Sequence, residues 1–406
     1  MTSSEIVIVG GGVIGCSTAY HLAQQGVKSQ IIEKDSVGSQ ASGRAWATAS
    51  ELMTMDVFQG IGMPPGTVQE RVAPPFRPFI KETVDRLPEV VAALKDKAGI
   101  DPQFSQLPAL YLTFLEQDAA FCRNRVEELK REGVEVDWVE AADIRALYPD
   151  IHPAVCGGVT FPGIQLEPYR YTVALGQASE NMGVNIRQGN VVDYEIEGEK
   201  IRSVKLASGT RIRGDVFVLA TGVHLGQSTA LLKREMAVRA FKLEWLRLKL
   251  PEQLPNYRLG AAAITFVPKP DGTTLVGEGP LSGNMGVPQM DGGVSPGEPL
   301  DYDWQDDFND LPTDDILQKY TEAAVTTLPR VESADMTEHT AGLLAHLPNE
   351  SLGTLGRLPG YDNVLVATTD IGIMLSLSAG RLLAELITKG ETDDDIAVFD
   401  PAKNLK

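Results

Sequence analysis

Ile6 to Val9 is an unbroken β-branched run that empties into Gly10-Gly-Gly-Val-Ile-Gly15, and the next apolar run, Ile31-Ile32, closes on Glu33. Strand, glycine turn, helix and acid-terminated strand in that order form a dinucleotide-binding fingerprint. Gly10 permits the tight turn, Gly12 lets backbone amides approach a pyrophosphate, and Gly15 lets the helix beginning near Val13 pack closely on its strand. The helix extends to about Gln25 and stops at Gly26. Its N-terminus, with unpaired N–H groups and a positive dipole end, suits two negative charges. Glu33 is placed to accept hydrogen bonds from a ribose diol, which favours an unphosphorylated adenosine ribose.

At 406 residues the chain exceeds one ordinary core, so two domains are expected, and 43% hydrophobic residues can fill them. A net charge of −19 opposes a nucleic-acid partner, because a phosphate backbone would meet a repulsive field. Cys16, Cys122 and Cys156 are widely spaced and form no CxxC, which suits a reducing cytosol and supplies no metal cage. The apolar amino terminus is not read as a secretory signal: Glu5 stands where basic residues are needed, and glycines interrupt the run. No stretch reaches the roughly 18 apolar residues of a membrane span. A cytoplasmic protein is the expectation.

Beyond the fingerprint, Gly38 to Trp46 is rich in small residues that let backbone approach a ligand. Proline density from Pro64 to Pro78 predicts a break in regular structure, and Phe79 to Asp96 reads as an amphipathic helix with Ile80, Val84, Leu87, Val91 and Leu94 on one face. A strand is expected over Tyr111–Leu115. A helix over Asp118–Arg131 should present Phe121, Val126 and Leu129 inward. Gly157-Gly158 reads as a turn, followed by a helix from Pro168 to Met182 and strands near Val184–Arg187, Val191–Glu195, Ile201–Leu206 and Asp215–Leu219. The last ends in Ala220-Thr221-Gly222, whose small side chains suit a ligand at the sheet end. Strand-like runs at Leu243–Leu250, Ala261–Val267 and Thr274–Val276, around the Asp271-Gly272 turn, predict an antiparallel sheet. Gly279 to Asp315 is Gly/Pro-rich and then acidic; it reads as a solvated loop without functional role, ahead of a helix from Asp314 to Leu328.

Taken together, Gly10-x-Gly12-x-x-Gly15 with Glu33, Ala41-Ser42-Gly43-Arg44, Gly157-Gly158-Val159, Leu166-Glu-Pro168, Leu219-Ala-Thr-Gly222, Leu358 to Thr368 and Gly380 to Ile387 resemble the D-amino-acid-oxidase-like flavoproteins. That superfamily includes glycine oxidase, sarcosine oxidase and D-amino-acid dehydrogenases. The resemblance covers nearly the whole chain. It implies an α/β architecture: a discontinuous Rossmann-like FAD-binding domain from 1–50, 150–222 and 335–406, and a substrate domain from 51–149 and 223–334 built on a mixed, largely antiparallel sheet with helices. It implies non-covalent FAD, held by Gly10, Gly12, Val13, Ile14, Gly15, Glu33, Lys34, the run Ala41, Ser42, Gly43, Arg44 and Ala45, Val191 or Val192 against adenine, and Ala220, Thr221 and Gly222. Ile371, Gly372, Ile373 and Met374 would lie near the flavin pyrimidine, where a helix start stabilises negative charge on reduction.

The chemistry so implied is hydride removal from a carbon bearing nitrogen, on a small amine or amino acid, with electrons passing on to oxygen, a quinone or a protein. Oxidation of a 2-hydroxy acid, or service as the flavin-bearing subunit of a larger electron-transfer complex, are the alternatives. Two departures bear on substrate. Amino-acid-oxidising relatives carry a carboxylate-binding arginine where this chain has Ala345, and that charge-assisted pair is worth about 1.5–3 kcal/mol. Either Arg44, Arg239 or Lys242 replaces it, or the substrate lacks a carboxylate. Asp370 stands where relatives have histidine, and could hold an amine or cap the following helix. Leu275 stands where sarcosine-oxidase-like enzymes place an oxygen-activating lysine, which favours a dehydrogenase. Trp46 and His346 complete the pocket candidates, His346 and Asp370 being the catalytic ones; His21 is read as structural, and His152, His224 and His339 show no ligand spacing.

Overall fold

The structure is a computed structural model that describes residues 5–52, 57, 68–278, 285–296, 303–347 and 352–406, with side chains from residue 75 in the long helix that begins at Val68. Its first layer is a six-stranded sheet in the order Gly353–Arg357, Val364–Thr369, Val216–Leu219, Ile6–Val9, Ser29–Glu33, Asn185–Gln188. All neighbours are parallel except the outermost pair, Gly353–Arg357 against Val364–Thr369. The central strands are mostly apolar on both faces and almost entirely buried, as a parallel sheet covered on two sides requires. On one side lie the first helix, Val13–Gln24, the helix Pro168–Asn181 and the last helix, Gly372–Thr388; a small three-stranded sheet, Val191–Glu197, Lys200–Leu206 and Arg211–Arg213, joins the core on the other.

The second layer is a nine-stranded mixed sheet. Its spine is Arg239–Lys249, which pairs along its whole length with Asp335–His346 on one edge and with Thr274–Glu278 on the other. Two segments expected on the FAD side, Gly157–Phe161 and Asp335–His346, hydrogen-bond into this sheet instead. Gly157 and Gly158 therefore begin a strand rather than make a turn. A Cβ at Gly157 would lie 2.1 Å from the Trp138 ring, so the glycine serves close packing.

Two further expectations are corrected. The helix placed at Phe79–Asp96 runs over Val68–Ala98, with Pro74, Pro75, Pro78 and Pro88 inside it. Burial of Phe76 and Phe79 edge-on against Phe399, at 5.0 and 4.9 Å, offsets the lost helical hydrogen bonds. The earlier part of the proline-rich stretch lies outside the described residues. In the helix Glu116–Arg131, Cys122, Val126 and Leu129 form the buried stripe, and Phe121, one position off it, is 37% exposed.

The first and last helices meet at glycine. A Cβ on Gly380 would lie 2.2 Å from Ser17 Oγ and 2.8 Å from Ser17 backbone, so this crossing admits no side chain. Gly380→Val is expected to lower unfolding stability by about 1–3 kcal/mol or more through overpacking, read as a shift in the urea midpoint. An unchanged midpoint would contradict the packing described.

Candidate cofactor and substrate cleft

The C-terminal ends of Ile6–Val9, Ser29–Glu33, Val216–Leu219 and Val364–Thr369 open into one cleft of about 890 Å³, within the size of a small-molecule site. Gly10, at φ 112°, makes the turn out of the first strand; a Cβ there would lie 2.3 Å from the Ala220 carbonyl oxygen. A Cβ on Gly15 would lie 2.0 Å from the Gly10 carbonyl, so the helix leaves its strand along a path only glycine permits. Gly12 caps the helix without a side-chain hydrogen bond; Ser42 Oγ accepts from the Val13 amide at 2.9 Å. Glu33 is held at the strand end by the Gly11 amide at 2.6 Å and the Asp35 amide at 2.9 Å. A helix start whose own Gly12 cap brings no side chain, a fixed carboxylate and a wall of glycine fit a dinucleotide at this end.

Of the residues singled out for a cofactor, Gly10, Gly12, Val13, Ile14, Glu33, Lys34, Ala41, Ser42, Arg44, Ala45, Val191, Ala220, Thr221, Gly222, Ile371, Gly372, Ile373 and Met374 line the cleft. Three do not. Gly15 packs on Gly10, Gly43 packs on the Gly38 carbonyl, and Val192, on the other face of its strand from Val191, is 40% exposed.

The substrate candidates separate in the same way. Trp46 lines the cleft, packed with Trp245, Val267 and Leu275, and Ala345 lines it beside Leu343. Lys242 does not: its ammonium is buried between Glu244 (3.4 Å) and Asp303 (3.2 Å) and donates to the Leu311 carbonyl. Arg239 is exposed and outside the lining; His346, half-buried with its ring edge-on to Phe241, is outside it as well. Asp370 lines the cleft just before the last helix without capping it. Its Oδ1 is buried without a hydrogen-bond partner, and burial lifts the carboxyl from 3.8 to about 8, against the nearby amides of Asp370 and Ile371. His21 is a core histidine: it bonds to the Ser17 carbonyl, and burial lowers it to about 4.

The acidic stretch, expected to be functionless, contributes to the wall. Phe308 stacks on His224 at 4.7 Å, and Asp310 pairs with Arg44 at 2.7 Å; all four line the cleft. Asp301 and Tyr302, in the same stretch, lie outside the described residues, as does Pro348. Nothing local in sequence marks Phe308 or Asp310, because both reach the cleft through the long-range anchoring of their loop on Lys242 and Glu244.

The family model described as "FAD dependent oxidoreductase" matches residues 5–386. The chain belongs to this family. Glycine oxidase of Pseudomonas aeruginosa is 25% identical over 99% of this chain and 100% of its own length. The hydrogen cyanide synthase subunit HcnC of the same organism is 22% identical over 98% of this chain and 96% of its own. The crystal structure of glycine oxidase from Geobacillus kaustophilus superposes with a TM-score of 0.80 at 21% identity, covering 98% of both chains. The protein is therefore an FAD-dependent oxidoreductase, and FAD is its cofactor. No helix among the described residues is long and apolar enough to cross a membrane.

Because the Asp370 carboxyl is raised in the fold, the stability it contributes is present below the ordinary carboxyl range and is lost as pH rises through about 8. Asp370→Asn apoprotein should therefore lose less stability than the parent between about pH 5 and about pH 9 in urea titrations. Parallel profiles would show that Asp370 ionises freely.

Proposed function

We propose that the protein oxidises the C–N bond of a small amine or amino acid, with an imine as product. The observation that carries this reading is the continuity of one cleft from the fingerprint, Gly10 to Glu33, to an apolar chamber of Trp46, Leu243, Leu343 and Ala345 beside Asp370. Full-length similarity to glycine oxidases supports it.

Bound FAD supplies the acceptor for a hydride. The chain supplies the rest. The helix start at Gly12 and the Glu33 carboxylate would hold the nucleotide half, and the helix start at Ile371–Met374 would offer positive dipole to charge that grows on reduction. The apolar chamber excludes water and holds the substrate close. Above its titration point of about 8 the Asp370 carboxylate is suited to accept the ammonium proton so that a neutral amine is oxidised; below it the carboxyl already holds a proton. The proposed division assigns 1–50, 150–222 and 335–406 to FAD and 51–149 and 223–334 to the substrate; across it, Gly157–Phe161 and Asp335–His346 add strands to the second sheet, the helix Val68–Ala98 packs in the core of the FAD-side helices, and Ser105–Gln106 pairs with Ile164–Gln165. Three free cysteines support a reducing, cytoplasmic setting.

A second reading, a flavin-bearing subunit, is favoured by the likeness to the hydrogen cyanide synthase subunit. Anaerobic mixing of the yellow protein with panels of amines, amino acids and 2-hydroxy acids separates the readings. Bleaching of the flavin band by amines or amino acids is expected. Bleaching by hydroxy acids alone would overturn the proposal, and bleaching by none would favour the subunit.

A further inference from the structure

The cleft carries an arginine whose partner is a carboxylate of the chain itself. Arg44 is held in place from behind, since the Trp245 indole Nε1 donates to its carbonyl at 2.8 Å. Its guanidinium Nη1 donates to the Ala341 carbonyl at 3.0 Å and to Asp310 Oδ2 at 2.7 Å. Both side chains line the cleft and also a neighbouring recess of about 480 Å³, so the pair stands where two cavities meet. Their side chains are 30% and 33% exposed, and an ion pair with that much solvent contact is weakly held.

Asp310 is presented by an anchored stretch. Phe308 stacks on His224, the Leu311 carbonyl accepts from Lys242, and the Thr313 amide and hydroxyl donate to the buried Glu244 carboxylate. With the backbone tied on both sides, rotation of the Asp310 side chain releases its carboxylate from the guanidinium, which keeps its bond to the Ala341 carbonyl.

Other cations are committed elsewhere. Among the described residues that line the cleft, Arg44 and Lys34 are the arginine and lysine, and Lys34 lies beside His224 and Asp35 at the end near Glu33. Lys242 is locked between Glu244 and Asp303. Arg44 alone stands in the wall shared with Trp46, Trp245, Leu243 and Gly342.

We infer that Arg44 binds a carboxylate of the substrate and that Asp310 is an internal stand-in which the substrate displaces. The substrate class thereby named, an amine that also carries a carboxylate, rests on the C–N reading above. No bond is made or broken in the exchange: one anion leaves the guanidinium for the recess and another takes its place. Asp310 then acts as a specificity device, since a ligand without a carboxylate has nothing with which to replace the pair it breaks.

The test is titration of the FAD-loaded protein with acetate and with acetamide, which differ in charge rather than shape, followed by Trp46 and Trp245 fluorescence and by the flavin spectrum. Wild type should bind acetate and not acetamide. Asp310→Asn, which removes the competing charge, should tighten acetate roughly three- to tenfold. Arg44→Met should weaken acetate roughly tenfold or more, and Arg44→Lys should retain part of it. Asp310→Asn that weakens acetate or leaves it unchanged would overturn the inference, as would acetate binding indifferent to Arg44→Met. Flavin content of each variant shows whether the cleft is intact. Acetate results as expected with no reduction by any amino acid would instead sink the C–N reading and leave the carboxylate site standing.

Discussion

Backbone-to-backbone approach at glycine sets the position of the strand–turn–helix end of the cleft. A side chain at Gly15 would collide with the Gly10 carbonyl at 2.0 Å, and one at Gly10 with the Ala220 carbonyl at 2.3 Å. The first helix is thereby drawn onto its own strand and the turn onto the neighbouring strand Val216–Leu219. The helix start, Glu33 and the Ala220–Gly222 corner then face a common space at the carboxyl ends of the strands, where open α/β sheets bind ligands. The same device recurs at Gly380 against Ser17, which seats the last helix so that its own start, Gly372, opens into that space.

Local chemistry made much of this legible. The fingerprint, the Pro168 helix and the strands around Val191 and Val216 are each specified by residues adjacent in sequence, through β-branched runs, glycine stops and helical spacing. The same reasoning failed where a distant contact overrode a local preference. Prolines stay inside the helix Val68–Ala98 because Phe76 and Phe79 are buried against Phe399, more than three hundred residues away in the chain. Gly157 extends a strand because Trp138 covers it. The cleft divides along the same line: Glu33, Ser42 and Asp370 were readable, whereas Phe308 and Asp310 sit in an acidic loop whose composition describes solvent. Their role follows from tertiary anchors, Lys242 and Glu244, and the Lys242 charge is taken up by buried Glu244 and by Asp303, partners that no local sequence pattern marks.

Charge is arranged in this cleft by neutralisation rather than by excess. The chain carries −19 overall, and Arg44 is matched by Asp310, while Asp370 is kept from its ordinary ionisation by burial. An apolar chamber bordered by one paired cation and one carboxyl that stays neutral below about pH 8 meets a zwitterion at both ends under the proposed function: its anion at Arg44, and its ammonium proton at Asp370 only where that carboxyl is ionised.

Every role assigned to the cleft depends on the adenosine diphosphate half of FAD being held at the opening strand–turn–helix. Titration of cofactor-free protein with FAD, FMN and ADP measures this directly. FAD should restore the yellow holoprotein, ADP should compete with it, and FMN should bind at least about a hundredfold more weakly, since it lacks the adenosine groups that the amides and Glu33 would hold. FMN binding as tightly as FAD, with no competition from ADP, would contradict the account.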